Sequence, residues 1–325
     1  MNFYDQLKVI HKVAGEFWQQ NESQVPDLFK RIKIIKRTEG RVSGFLPEYA
    51  DMPSVFFKVY FKDYGYEFEY QGLRTANDMP KLESIRVPKI IRIYPEYKAF
   101  ILEKRTWEDT NSELKRFFIT SNNFDWQSIG AWLRNFHDMK VSFSKNKTFL
   151  DWKFKKISLY MEKLSNLFTP DEYKKNETII QTAKNFFDKQ SCEWVLSHGD
   201  FLIGNIHISN GCMEIIDFED CQMAPREFDI LNFLTRLEYA NYFPNLPGTF
   251  EKIKRQFLQG YDLQIDFDSC IHNFLYLFIK LDLIETYFRR KQLEKTMLYR
   301  KFIYSYFEYQ TLRGLKLWLR NITLQ

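Results

Sequence analysis

Glycine is scarce in this chain, with 12 residues among 325, and there are only 10 prolines. A sequence so short of chain breakers is committed to helices and strands, not to long flexible loops. Four cysteines (Cys192, Cys212, Cys221, Cys270) show neither a CxxC spacing nor the density of a disulfide scaffold, which points to a reducing compartment. The opening MNFYDQLKVIHK lacks the basic-then-apolar profile of a secretion signal. The longest apolar run of the C-terminal region, FLYLFI at 274–279, is far too short to span a bilayer. No GxxxxGKS/T occurs, so a P-loop is excluded. The chain is expected to be soluble and cytoplasmic.

A formal charge of +5 is too mild to imply a nucleic-acid partner, and none is expected. Residues 276–325 hold ten Lys/Arg against four Asp/Glu, a local surplus of +6. The ordinary reading of this tail is a solvated helix face with snorkelling basic side chains. Membrane association through it is the lesser alternative.

What is abundant is aromatic side chains, 32 Phe and 19 Tyr, within a hydrophobic content of 45% that can bury a substantial core. Residues 1–30 read as one or two amphipathic helices ending near Pro26. The period then changes to strand alternation in RIKIIKRTEG, followed by a glycine-bearing segment, GRVSG (40–44), and a second strand, SVFFKVYFK (54–62). YEFEYQGLRTAND (66–78) is helical in pattern, and IIRIY and AFILEK are strands joined by PEYK. Beyond about 105 the pattern is helical, as in FDWQSIGAWLRNFHDMK with Ile129, Leu133 and Phe136 at helical spacing. The expected class is α+β with two lobes, a β-rich one over 1–105 and a helical one over 106–325.

One stretch interrupts the helical region: LSHGDFLIGNIHISNGCMEIIDFED, 196–220. Asn210-Gly211 between alternating runs is a strong hairpin signal. With those two residues as the loop, Ser209 faces Cys212, Asn205 faces Ile216, and Asp217 lies diagonally beside Asn205 at the open end. Asp200 sits in the loop feeding that end. Three oxygen-bearing side chains so gathered suit a hard cation, magnesium above all, and no His/Cys set suits zinc. His198 reads better as a loop-stabilising hydrogen-bonding residue than as a ligand, His207 as a strand residue and His137 as a core helix residue. Taken alone, the segment also fits a surface hairpin with incidental carboxylates. In the N-terminal lobe, Lys58 is a lone cation in the apolar strand VFFKVY, where a charge needs a partner.

HGDFLIGN (198–205) followed by IIDFED (215–220) resembles the aminoglycoside phosphotransferase and choline kinase family, which shares the protein-kinase-like fold. The likeness extends over roughly residues 30–260 in short islands. It implies a bilobal protein-kinase-like fold, with Asp200 as catalytic base, Asn205 and Asp217 holding Mg2+, and Asp229 bracing the catalytic loop. It implies further that Lys58 contacts the α- and β-phosphates of ATP. Glu69 would be its helix partner, with Glu67 as the rival. Gly40, Ser43 and Gly44 would then cradle phosphates, and backbone groups near Glu103 and Lys104 would meet adenine. Glu219 falls on the same strand face as Asp217, as an outer partner of the ion. HGD in place of HRD, Phe218-Glu219 in place of FG, and the lack of an APE-like segment favour a small-molecule kinase over a protein kinase.

The implied function is ATP- and magnesium-dependent transfer of phosphate to a hydroxyl of a small molecule, such as a sugar, amino alcohol or antibiotic. The alternatives are a kinase of a membrane-associated glycan or lipid headgroup, and a non-catalytic nucleotide-binding regulatory or structural protein. One acidic stretch, YDLQIDFD (261–268), precedes the basic tail. If that tail lines the cleft, a neutral or anionic acceptor is expected over a polycationic aminoglycoside.

Overall fold

Strand alternation sorts the first part of the chain into two faces. The computed structural model describes residues 3–19, 29–38, 40–49, 51, 53–103, 125–141, 147–189, 192–209, 212–238, 248–262, 266, 269–294 and 298–322. Helix α1 (Phe3–Trp18) precedes β1 (Lys33–Arg37), β2 (Arg41–Leu46) and β3 (Val55–Tyr60). Helix α2 (Asp63–Asp78), β4 (Ile85–Arg86), β5 (Ile90–Tyr94) and β6 (Ala99–Glu103) follow. Five of these strands form an antiparallel sheet in the order β1-β2-β3-β6-β5.

One face of that sheet makes a core with α1. Val55, Phe57 and Val59 of β3 and Ala99 and Ile101 of β6 are buried in one cluster with Ile10, Val13, Ala14 and Phe17. Successive side chains of a strand point to opposite faces, so Lys58 must leave that core on the other side. The sequence fixes the direction of this cation by placing it between Phe57 and Val59.

The chain divides into two units, Met1–Phe124 with Gly204–Cys221, and Asp125–Ile203 with Gln222–Gln325. The 204–221 hairpin, expected with the helical lobe, is therefore part of the β-rich unit. Its strands β8 (Ile206–Ser209) and β9 (Cys212–Ile215) pair antiparallel, and β9 pairs in parallel with β4 through Ile85↔Met213 and Arg86↔Glu214. The Met213 N–H adds to this pairing by donating to the Ser84 carbonyl at 2.8 Å. Helix α2 seats closely on the turn that follows: a Cβ on Gly72 would come within 2.8 Å of Cys221 Sγ.

The second unit is mostly helical, with α3 (Trp126–His137), α4 (Lys147–Lys163), α5 (Pro170–Lys189), α6 (Glu227–Leu237), α7 (Thr249–Tyr261), α8 (Cys270–Leu293) and α9 (Leu298–Asn321). A short antiparallel pair, β7 (Trp194–Ser197) with β10 (Gln222–Pro225), carries the HGD loop at its end. Asp125 caps α3 by accepting the Ser128 N–H at 3.0 Å. Helices α3 and α7 touch backbone to backbone, since a Cβ on Gly130 would lie 2.0 Å from the Phe257 carbonyl and one on Gly260 1.8 Å from that of Gln127. No helix among the described residues is long and apolar enough to cross a membrane.

Part of the tail's positive charge is ion-paired within this unit. Lys291 pairs with Glu308 at 2.5 Å, Arg300 with Glu294 at 3.5 Å, and Lys316 with Glu172 at 3.5 Å. Glu294 and Glu308 are themselves part of the tail, so of these pairs only Lys316 with Glu172 draws on an acid outside it, and the surplus is little reduced.

Candidate active site

The hairpin has the register that its sequence dictates. Ser209 faces Cys212, His207 faces Glu214, and the Ile216 N–H donates to the Asn205 carbonyl at 3.0 Å. Asn205 and Asp217 are thus diagonal neighbours at its open end. The Asn210-Gly211 loop lies outside the described residues. Asp217 has φ +66°, a left-handed conformation that costs a non-glycine residue about 1–2 kcal/mol and that Asp tolerates better than most.

Two cations hold the Asp217 carboxylate. Lys58 Nζ donates to its Oδ1 at 3.0 Å and to Glu69 Oε1 at 2.6 Å, while Arg41 reaches the same Oδ1 at 3.2 Å and also pairs with Glu219. Tyr60 donates to the second oxygen of Glu69. Glu69 is 1% exposed and Glu67 is exposed, so the helix register selects Glu69. Burial disfavours the Lys58 ammonium, but Asp217 and Glu69 outweigh it and raise its pKa above the ordinary lysine value. Burial likewise opposes ionisation of Asp217, and Lys58, Arg41 and Lys36 overcome it to hold the carboxyl well below its usual range.

These groups line a cavity of about 140 Å³ together with Ser43, Phe45, Phe56, Leu102 and Glu103. It therefore has an apolar part between strands and a charged end at Lys58, Arg41 and Asp217. Asn205 and Asp217 offer oxygen donors only, one of them anionic. That chemistry fits a hard cation whose remaining ligands are waters and phosphate oxygens. Among the described residues, no group of three or more His, Cys, Asp or Glu is arranged around an ion site.

The glycine-bearing segment differs from its expected form. Ser43 and Gly44 lie inside β2, where Ser43 faces Lys58 and Gly44 faces Phe57. Gly44 is glycine for packing: a Cβ there would lie 2.1 Å from the Lys33 carbonyl oxygen. Only Gly40 stands in the turn, though Ser43 does line the cavity. Glu103 also differs in part, since its backbone N–H is already donated to the Lys89 carbonyl at 3.0 Å. Lys104 lies outside the described residues. Arg41 was not foreseen at all, because an arginine opening a strand carries no motif.

In the second unit, the HGD loop is held from below. Asp229 lies in the first turn of α6, fully buried, and accepts the N–H groups of His198 at 2.7 Å and Gly199 at 3.0 Å. His137 Nε2 donates to Asp229 at 3.0 Å, and its Nδ1 takes the Tyr261 hydroxyl at 2.6 Å. Tyr261 in turn accepts from Arg226 at 3.3 Å. Burial alone would protonate Asp229, but the hydrogen bond from His137 and those of the loop lower its pKa. His137 is therefore more than core filling. His198 is wholly buried, as a loop-stabilising residue requires.

Gly199 has φ +82°, where glycine is favoured, and it turns the chain into Asp200. Asp200 is half-buried. The next residue, Phe201, is 1% exposed and stacks on Trp132 with ring centroids 6.1 Å apart. Burying such a ring contributes about 1.5–3 kcal/mol, enough to anchor the loop beside its carboxylate.

None of the curated proteins compared with the chain matches it. Solved structures do. A choline/ethanolamine kinase family protein from Mesorhizobium loti is 13% identical, with 89% of this chain and 88% of that one covered and a TM-score of 0.55. Plasmodium vivax ethanolamine kinase is 15% identical, with 92% and 86% covered and a TM-score of 0.56. An amicoumacin kinase in complex with AMP-PNP, Ca2+ and Ami is 14% identical, with 88% and 89% covered and a TM-score of 0.55. Such identities establish the fold, which is α+β and protein-kinase-like, with a β-rich N-terminal part and a mostly helical C-terminal part. The family model described as choline/ethanolamine kinase matches residues 111–277, just over half of the sequence and the part that contains the HGD loop and the hairpin. The chain belongs to the choline/ethanolamine kinase family.

Proposed function

We propose that the protein is an ATP- and magnesium-dependent kinase that phosphorylates a hydroxyl group of a small molecule. The observation that carries this reading is the Lys58 ammonium, fixed between Glu69 and Asp217 at the charged end of a cavity. A buried lysine so paired is oriented for phosphate oxygens, and the apolar walls of Phe45, Phe56 and Leu102 suit a purine. The complexes with AMP-PNP and with ADP among the solved structures of similar fold support nucleotide binding here.

In this reading Asp200 accepts the acceptor's hydroxyl proton as its oxygen bonds to the γ-phosphorus and the bond to the ADP oxygen breaks. Asp229 keeps Asp200 in place by holding the two preceding residues through their backbone. Asn205 and Asp217 are the residues that would hold Mg2+, which neutralises phosphate charge when bound. Lys291, Arg300 and Lys316 of the tail are held in ion pairs, which limits the part these three can play in steering an acceptor. The acidic stretch offers little decision either: Asp262 is engaged with Arg134 at 2.8 Å, and residues 263–265, 267 and 268 lie outside the described residues.

The test is a magnesium-ATP consumption screen over sugars, polyols, amino alcohols including choline and ethanolamine, and aminoglycosides. Turnover of at least one hydroxyl compound, lost in Asp200→Asn, is the expected result. Nucleotide binding without transfer to any acceptor would leave the non-catalytic reading in its place.

A further inference from the structure

We propose that Arg41 is a phosphate-binding residue of the nucleotide site, stored on Asp217 and Glu219 until a metal-bound nucleotide displaces it. This deepens the kinase reading and rests on it.

The turn before β2 is poor in what usually binds phosphate there. It holds a single glycine, and two of its backbone amides are already committed. The Thr38 N–H donates to the Arg41 carbonyl at 2.8 Å, and the Arg41 N–H donates to Thr38 Oγ1 at 3.0 Å. These two amides are therefore not available to a phosphate. The side chain that leaves this turn into the cavity is Arg41, only 6% exposed, with its guanidinium on two carboxylates.

A guanidinium presents donors in a fixed planar fork that matches a carboxylate and a phosphate equally well. Two carboxylates bridged by one Arg occupy the positions that phosphate oxygens would take. The charges of the cluster balance without ligand: Lys36, Lys58 and Arg41 face Glu69, Asp217 and Glu219. A divalent ion on Asp217 removes that carboxylate's demand for Arg41 and leaves the guanidinium for the nucleotide. The competing view is that Arg41 merely ties β2 to the residues after the hairpin. The two views differ in sign. A phosphate ligand that blocks a metal site weakens nucleotide binding when removed and does not weaken binding of the metal alone, whereas a tie weakens both.

The experiment is calorimetric titration of the full chain with Mg-ADP and, separately, with Mn2+ alone, for wild type, Arg41→Gln and Arg41→Lys. Arg41→Gln is expected to lose about tenfold or more in Mg-ADP affinity, the scale of a charge-assisted hydrogen bond. Its Mn2+ affinity is expected to equal or exceed that of wild type, with Arg41→Lys intermediate for the nucleotide. Equal Mg-ADP affinity in wild type and Arg41→Gln overturns the proposal and leaves the kinase reading standing. A parallel fall in both affinities overturns it in favour of the tie. If wild type itself binds no Mg-ADP, the kinase reading fails and takes the proposal with it. Should Arg41→Gln not fold, Glu219→Gln decides, since releasing Arg41 from one carboxylate should tighten Mg-ADP binding and a loss of affinity overturns the idea.

Discussion

Nζ of Lys58 stands 2.6 Å from Oε1 of Glu69, strand to helix, and both side chains are buried. Removing one partner leaves the other buried with only its second contact, Asp217 for Lys58 or Tyr60 for Glu69, which costs up to about 3–5 kcal/mol, whereas replacing both by apolar residues costs less. Glu69→Leu is expected to be strongly destabilising and Lys58→Met/Glu69→Leu to recover much of the loss, as read by denaturant unfolding. The recovery should be incomplete, because Tyr60 and Asp217 also lose a partner in the double variant. Additive losses would show that the pair is not a coupled unit.

The proposed roles of Asp200 and Asp217 separate in binding measurements. Asp200→Asn should keep Mg-ATP affinity near wild type while transfer falls by about 10²–10⁴-fold, the usual worth of a positioned base. Asp217→Ala should weaken Mg-nucleotide binding more than Asn205→Ala does, since an amide contributes no charge. Calorimetry giving one affinity for all three variants would remove the hairpin end from the metal site.

Asp229 carries two loop amides and His137 on one carboxylate. Asp229→Asn turns an acceptor-only group into one that must also donate, so at least one of these bonds is lost in a fully buried place. The expected cost is about 1–3 kcal/mol in stability, with a lower kcat and an unchanged nucleotide affinity. An equal fall in nucleotide affinity would mean that the brace acts on the unit as a whole and not on the loop.

Acid should loosen the helical unit at Asp282. Burial there works against ionisation, yet Arg236, Lys156 and the Tyr160 hydroxyl bring its pKa down to about 2 from the ordinary carboxylate value of 3.8. A depressed folded pKa means that the stabilisation is present above the unfolded value and is lost as pH falls through the folded one. The contribution, about 2 kcal/mol, should therefore disappear between about pH 4 and pH 2. Thermal unfolding of wild type and Asp282→Asn across that window should converge at the acid end; a constant gap would exclude this residue as the source.

The sequence made the hairpin legible in detail, because Asn210-Gly211 and the flanking alternation leave one register that keeps Ile206 and Ile215 buried. Lys58 was readable for a related reason, as a charge inside an apolar strand. Glu69 against Glu67 was settled only by the helix phase. The phosphate segment misled because glycines can serve turns or close packing, and Gly44 serves the second through Lys33, 11 positions away along the chain. Strands β7 and β10 are four residues each and carry no alternation strong enough to mark them. Arg41 was invisible, since its partners, Asp217 and Glu219, are contributed from a remote part of the chain.

The parallel pairing of β4 with β9 also sets a timetable for synthesis. Ile85 is made 128 residues before Met213, its partner, and the turn that covers Gly72 emerges later still. Throughout the making of α3 to α5, the nascent β-rich unit carries an open strand edge and an uncovered helix face, the surfaces through which chains aggregate. Folding in the simple order of translation, first domain before second, is closed to this protein. Its nucleotide-side unit is completed only when the ribosome has passed residue 221, and a fragment released before residue 217 retains the lysine strand and lacks the carboxylate that Lys58 and Arg41 share.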